Sequence, residues 1–169
     1  PLIFMNCELH VGLDEHSLVN DFYYPYVGLE NHAAASSLRH RIGIWVDGVF
    51  SWLDDGSWQI TQLYEQGSLI GRTRAQHSSF GITLELEDCV DAGQSAFLRN
   101  IHVISHADRE REVRLYMHQV FLISNSLSGD TVQYLPGEPA VMHYKGHRTF
   151  IIGGEHTASK RPFDEFSVG

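Results

Sequence analysis

The length, composition and charge of this chain are those of a folded protein of single-domain size. It has 169 residues, of which 43% are hydrophobic and 20% are charged, so a sizeable apolar core is expected. The formal net charge is −9 and the 12 Lys and Arg residues are scattered, which argues against a nucleic-acid partner. No apolar run approaches the ~18 residues of a membrane-spanning helix, so no membrane partner is expected.

Cysteine usage and the first residues indicate a cytoplasmic protein. Cys7 and Cys89 are the two cysteines, and neither lies in a Cys-x-x-Cys motif. Free thiols in a reducing compartment are expected, and a single bridge between the two is the alternative. Residues 1–5 are apolar but too short, and lack the basic lead of a secretory signal. The chain starts without Met and stops at Gly169 with no terminating element, so a fragment of a longer polypeptide and a complete gene product both stay open.

Turn residues divide most of the chain into short segments that favour β-strands. The spacing of these segments, and the lack of any helical stripe longer than two turns, predict one all-β domain over residues 1–169, an antiparallel sandwich with few or no helices. Residues 160–164 are either the start of a linker or a last edge strand. In chain order the predicted strands cover residues 2–13, both arms of 41–52, 58–64, 68–75, 81–88, 96–105, 112–124, 131–135, 140–145 and 148–153.

Three of these segments give sharper expectations. Asp47 and Gly48 lie between two apolar arms and predict a hairpin with a type I′ turn. Residues 82–88 alternate strictly, so Ile82, Leu84 and Leu86 are expected to face inward, and Thr83, Glu85 and Glu87 outward. Residues 112–124 form the longest predicted strand, with Val113, Leu115, Met117 and Phe121 on one face.

Residues 20–32 are the strongest candidate for a functional segment. They contain three tyrosines, a proline, a glycine and the sequence Glu-Asn-His, and no regular period fits them. Pro25 and Gly28 predict bends, so the segment is expected to be an ordered loop. Tyrosine rings beside amide and carboxylate groups suit sugar rings, and Tyr24, Glu30, Asn31 and His32 are the candidate substrate-binding residues. The alternative is that the aromatic side chains plug one end of the sandwich.

Other residue patterns do not predict a catalytic or metal site. The 11 histidines form no His-Glu-x-x-His motif, although His102 opposite His118 on paired strands would allow metal binding. Neighbouring acids such as Asp54 and Asp55 are typical of turns. No cofactor is expected. The tryptophans could form a sugar platform, although a core position is the commoner role in a sandwich; they are Trp45, Trp52 and Trp58.

A series of short motifs spans nearly the whole chain. It runs Leu-Asp-Glu-His at 13–16, Asp-Phe-Tyr-Tyr-Pro-Tyr-Val-Gly-Leu-Glu-Asn-His at 21–32, Trp-Val-Asp-Gly at 45–48, Phe-Ser-Trp-Leu at 50–53, Thr-Leu-Glu-Leu at 83–86, Val-Asp at 90–91, Glu-Val-Arg-Leu at 112–115, His-Gln at 118–119, His-Tyr-Lys-Gly at 143–146 and Val-Gly at 168–169. In this order the motifs resemble the amino-terminal domain of family 15 glycoside hydrolases, the glucoamylase-like enzymes that include prokaryotic glucoamylases, glucodextranases and trehalases.

The resemblance implies a β-supersandwich of the galactose-mutarotase-like type. It also implies that an (α/α)6 catalytic domain, absent from this chain, follows in the same polypeptide and contributes both catalytic glutamates for inverting hydrolysis of α-glucosidic bonds. No residue of this chain is then catalytic, and residues 20–32 are expected at the rim of the active site, near an α-glucan, oligosaccharide or trehalose substrate. Two other functions stay open: a stand-alone carbohydrate-binding module, and a mutarotase-like epimerase using a His and a Glu.

Overall fold

The fold, seen in a computed structural model, is built almost entirely of antiparallel β-strands, which confirms the predicted all-β class. The structure describes residues 1–33, 40–126 and 128–168. Within them no helix has the length and hydropathy needed to cross a membrane. The chain forms two compact units, Pro1–Val120 and Phe121–Gly169. The strands of the first unit are β1 (Leu2–Met5), β2 (His10–Leu13), β3 (Val19–Tyr23), β4 (Arg41–Val46), β5 (Val49–Trp52), β6 (Gln59–Tyr64), β7 (Gly71–His77), β8 (Ile82–Val90), β9 (Phe97–Ser105) and β10 (Val113–His118).

The main core of the first unit forms where two sheets contribute apolar side chains to one cluster. One sheet has the strand order β6-β7-β8-β9, and the other has the order β10-β4-β5. Burial of each aliphatic side chain contributes about 1.5–3 kcal/mol, so this cluster is the main source of stability in the unit. The buried members of the cluster are Ile42, Ile44, Val46, Leu53, Trp58, Ala75, Phe80, Ile82, Leu84 and Leu86.

Strand β8 shows how far simple alternation predicts burial. Ile82, Leu84 and Leu86 are buried in the core as expected, and Glu85 on the other face is half-buried and ion-paired with Arg74. Thr83 departs from the prediction, because it is 0% exposed. Its hydroxyl is covered by hydrogen-bonding neighbours on the face where the charged residues lie.

A third sheet, β1-β2-β3, has its own apolar cluster, which includes Leu2, Phe4 and Val11. Gly71 at the start of β7 permits a close approach of β1. A Cβ atom added there would lie 2.7 Å from Leu2 Cδ1 and within contact of the Phe4 ring. The sheet also carries a bulge between Gly12 and Leu13 in its pairing with β3.

The Asp47–Gly48 turn forms the hairpin that the sequence predicts. Asp47 and Gly48 have φ angles of 49° and 95°, as a type I′ turn requires, so the hairpin is confirmed.

Strand β10 is shorter than predicted and ends at His118, which pairs with Arg41. Because β4 begins at Arg41, the residues after His118 have no further partner on that strand.

His102 and His118, whose pairing would have allowed metal binding, do not face each other. His102 lies on β9 and is opposite Glu85 of β8, whereas His118 is opposite Arg41 of β4. The two histidines therefore belong to different sheets. Pairing between distant strands is not encoded in local spacing, so the sequence pattern could not show this.

The second unit is a small antiparallel assembly with a separate apolar contact. Its strands β11 (Thr131–Leu135), β12 (Ala140–Lys145) and β13 (Arg148–Gly153) form a meander after a single 3-10 turn at Ile123–Asn125. Phe121 stacks on Phe150 with 4.3 Å between ring centroids, so Phe121 belongs to this core and not to β10. Strands β14 (Glu155–His156) and β15 (Arg161–Pro162) pair with each other, which assigns residues near 161 to a strand.

His40 is the buried polar residue with the clearest electrostatic consequence. Its side chain is 5% exposed, and its Nε2–H donates to the carbonyl oxygen of Val120 at 2.6 Å. Desolvation by burial is the main cause that lowers the pKa of His40, to about 4 from an ordinary 6.5. The folded state therefore keeps this imidazole neutral in mildly acidic solution.

This burial predicts a pH-dependent stability. Above the unfolded pKa of 6.5 the His40 ring is neutral in both states, whereas between 6.5 and about 4 only the unfolded state takes the proton. We expect His40 to remove up to roughly 3 kcal/mol of unfolding free energy as pH falls through this range. Urea unfolding at about pH 7 and about pH 4.5 measures the change. His40→Gln keeps a donor for Val120, and an equally steep pH dependence in that variant would contradict the assignment.

A second prediction concerns the close approach at Gly71. Gly71→Ala forces a methyl group against Leu2 and Phe4, and overpacking of this kind typically costs about 1–3 kcal/mol. Gly93→Ala is the matched control, because its nearest neighbour would be an Asp91 oxygen at 3.8 Å. Thermal unfolding of the two variants compares them, and equal melting temperatures would contradict the predicted steric conflict.

Candidate functional site

The predicted functional loop, residues 20–32, leaves β3 and returns beside it. Tyr23 and Asn31 form an antiparallel bridge, the His32 N–H donates to the Phe22 carbonyl at 2.8 Å, and the Tyr24 N–H donates to the Glu30 carbonyl at 3.2 Å. These bonds make the base of the loop a short ladder. The prediction of an ordered loop is confirmed.

Asn31 fastens the base of the loop with its side chain. Its Oδ1 atom accepts the N–H of Phe22 and the N–H of Ala33, both at 3.0 Å. Its amide Nδ2 donates to Asp21 Oδ1 at 2.6 Å. Both ends of the amide therefore hold the chain itself, and this residue is structural in the geometry observed.

His32 and Tyr24 complete the base from the interior side. His32 is 1% exposed, and its Nε2–H donates to the Tyr24 carbonyl at 2.7 Å. Glu30 Oε2 lies 3.8 Å from the same nitrogen. The Tyr24 side chain is half-buried against the apolar cluster of the third sheet. The four predicted residues are thus brought together, with the His32 ring too buried to meet a ligand in this arrangement.

The exposed part of the loop is apolar and was not singled out by the sequence analysis. We call residues 26–29 the loop tip; within it Tyr26 is 59% exposed, Val27 46% and Leu29 74%. Gly28 permits the bend with φ of 81°. A hydrophobic residue on each side of a turn glycine was the available signal. The loop therefore combines a fixed polar base with an apolar tip that faces solvent.

The three tryptophans do not form a common platform. Trp58 is buried and donates its Nε1–H to Ser51 Oγ at 2.9 Å. The guanidinium of Arg41 lies 4.4 Å from the Trp52 ring centroid, and that of Arg114 lies 4.9 Å from the Trp45 ring. One face of each half-buried indole is thus covered by a cation.

Acidic residues near the loop and the hairpin are occupied by neighbouring groups. Asp54 is ion-paired with Arg41 at 2.8 Å, and Asp55 accepts hydrogen bonds from Ser51 and Ser57. Among the described residues, Asp14, Glu15 and His16 place potential metal-ligand atoms within 4.8 Å of one another. Asp14 Oδ1 there accepts the N–H groups of His16 and Leu18, an arrangement typical of a turn.

The geometry of Asn31 predicts a stability defect on truncation. Asn31→Ala removes the acceptor of two backbone N–H groups, and a lost buried hydrogen-bond partner typically costs about 1–3 kcal/mol. Val27→Ala alters an exposed side chain of the same loop and should change stability by no more than about 0.5 kcal/mol. Denaturant titration of both variants checks the difference, and an unchanged midpoint in Asn31→Ala would show that the amide is not needed to hold the loop.

Comparisons with known proteins add no further evidence about this site. No protein-family model, no curated protein and no solved structure matches the chain. The case for a function rests on the motif resemblance and on the geometry of the Asn31 base and the apolar loop tip.

Proposed function

We propose that this chain is the non-catalytic amino-terminal domain of a glucoamylase-like α-glucoside hydrolase, a cytoplasmic enzyme of carbohydrate metabolism. In this role it packs against an (α/α)6 catalytic domain of the same polypeptide, assists its folding and lends residues 20–32 to the rim of the active site. The substrate class of the whole enzyme is an α-glucan, an oligosaccharide or trehalose. The motif series and the all-β antiparallel fold support this proposal.

The proposal depends most on the contrast between the fixed polar base of the loop and its exposed apolar tip. A segment that only plugged a sandwich would bury its apolar residues, whereas Tyr26 and Leu29 are 59% and 74% exposed. Exposed apolar groups on an ordered support are typical of contact surfaces. Because the Asn31 and His32 bonds fix the base, such a contact would cost little ordering entropy.

Three acidic residues from the acid pairs of the sequence are already engaged by neighbouring groups, which supports a non-catalytic role for these three. Inverting hydrolysis needs two carboxyl groups about 6.5–9.5 Å apart across an open substrate site. Asp54, Asp55 and Glu85 instead bind neighbouring cations or hydroxyl groups. For the mutarotase-like alternative, His102 and Glu85 are opposite each other on paired strands, but that glutamate is already ion-paired with Arg74.

The first test compares the chain with the full product of its gene. We expect that product to extend beyond this chain with a helical domain and to hydrolyse maltose, dextrin or trehalose with inversion, and the chain alone to give no product above a blank. Product anomers are followed by proton NMR. Turnover by the chain alone, or a longer polypeptide without a helical domain, would refute the proposal.

The second test addresses the loop tip within the longer enzyme. Leu29→Ala removes an exposed apolar contact, so we expect KM to rise by up to about tenfold, equivalent to ~1.4 kcal/mol. The melting temperature of the isolated chain should not change. Leu69→Ala is the matched control, because Leu69 is 71% exposed and lies outside the loop. Equal KM values for the two variants would remove the loop tip from the active-site rim.

A further inference from the structure

A polar cleft lies at one end of the four-stranded sheet, away from residues 20–32 in sequence. Its volume is about 240 Å³, just below the ~300–1,000 Å³ typical of drug-sized ligands, so it suits one small ring. Strands β6, β7 and β8, the turn after β7 and the residue after β9 supply its walls. The lining residues are Gln59, Gln76, His77, Ser78, Gly81, Ile82, Thr83 and His106.

The cleft contains a row of neutral hydrogen-bonding side chains. Gln59 is opposite Gln76 in the β6–β7 pairing, and Gln76 is opposite Thr83 in the β7–β8 pairing. Neighbouring strands are about 4.8 Å apart, so the three side chains span a width of about 10 Å. The row offers two amides, each of which can both donate and accept, and the Thr83 hydroxyl beneath them is 0% exposed.

His106 extends this row and is fixed in position at the wall of the cleft. Its backbone N–H donates to the Gly81 carbonyl at 2.8 Å, and its Nε2 atom is hydrogen-bonded to Thr83 Oγ1 at 2.8 Å. Gln76 Nε2 lies 3.4 Å from the same hydroxyl, a long hydrogen bond. The imidazole is exposed and offers an aromatic ring beside the polar row.

The charge pattern of the lining restricts the class of ligand. None of the lining residues is Asp, Glu, Lys or Arg, so neither an anion nor a cation finds a fixed counter-charge there. On the next row of the same sheet face, Arg74 and Glu85 are paired with each other. The net charge of −9 further disfavours anions at long range.

We propose that this cleft binds a neutral polyhydroxylated ring, such as a pyranose, through Gln59, Gln76 and His106, while the buried Thr83 hydroxyl holds Gln76 and His106 in place. The hydroxyl groups of a sugar both donate and accept hydrogen bonds, as the amide side chains of Gln59 and Gln76 do, and the ring of His106 packs against the apolar face of the sugar. With few contacts and an open site, the expected dissociation constant is on the order of 1 mM. The choice of glucosides as probes rests on the proposed function.

Titration of the isotope-labelled chain, followed by amide NMR, tests this site. Glucose and maltose should shift the amide signals of Gln76, Gly81, Thr83 and His106, and glucose 6-phosphate should bind at least about fivefold more weakly because the cleft offers no cation. Gln76→Ala removes a direct contact and should weaken glucose binding at least about fivefold. Thr83→Val removes the hydroxyl that is bonded to Gln76 and His106 and should also weaken binding, through the position of those two side chains. Gln133→Ala is the matched control, an amide truncation at an exposed strand position in the second unit, and should bind as the unmodified chain does.

Three results would overturn the proposal. The first is no shift at a glucose concentration on the order of 50 mM, which would nearly saturate a millimolar site. The second is a set of shifts confined to residues 24–32, which would assign sugar binding to the loop. The third is equal binding by Gln76→Ala and Gln133→Ala variants that retain the folded spectrum. These measurements need no helical domain, so a failure here and a failure of the hydrolase proposal are separately visible.

Discussion

Burial of inward-facing aliphatic side chains from two antiparallel sheets is the interaction on which the first unit depends. Ile42 and Ile44 of β4 and Leu84 and Leu86 of β8 are at most 1% exposed and belong to one cluster. Because side chains alternate along each strand, filling this core directs the intervening residues to the outer faces. The charged pairs of β7 and β8 and the aromatic residues of β5 lie on those outer faces. Core packing thereby decides which side chains remain accessible for binding.

Local signals in the sequence predicted the elements that depend on neighbouring residues only. The Asp47–Gly48 turn needs two residues that tolerate positive φ, and this requirement is visible in two adjacent letters. The end of β10 is different, because it is set by where β4 begins, more than 70 residues earlier in the chain. The burial of Thr83 likewise depends on His106, which follows the next strand. Strand pairing and burial on the outer faces therefore could not be predicted from the sequence and are seen only in the structure.

The candidate loop shows that a residue of a suitable chemical type need not be available to bind a ligand. Sequence composition identified Asn31 as an amide suited to a sugar hydroxyl, and that chemistry is present. Its acceptor oxygen is nevertheless occupied by the N–H groups of Phe22 and Ala33, because the bridge at Tyr23 brings the two sides of the loop together. A residue type cannot reveal this competition between a ligand and the protein backbone. Positions in the loop tip, such as Leu29, were left exposed by the same closure.

The loop tip and the polar cleft differ in the kind of partner that each can bind. Binding to apolar side chains such as Tyr26 and Leu29 is favoured in proportion to the apolar area that is removed from water. Such a partner must therefore offer a protein surface or the face of a ring. The cleft beside Thr83 offers directed hydrogen bonds in a volume of about 240 Å³, which favours a small solute with hydroxyl groups. Under the two proposals, the domain contacts another protein surface through the loop tip and holds a sugar in the cleft. The separation of the two sites in sequence permits each to be altered without removing side chains of the other.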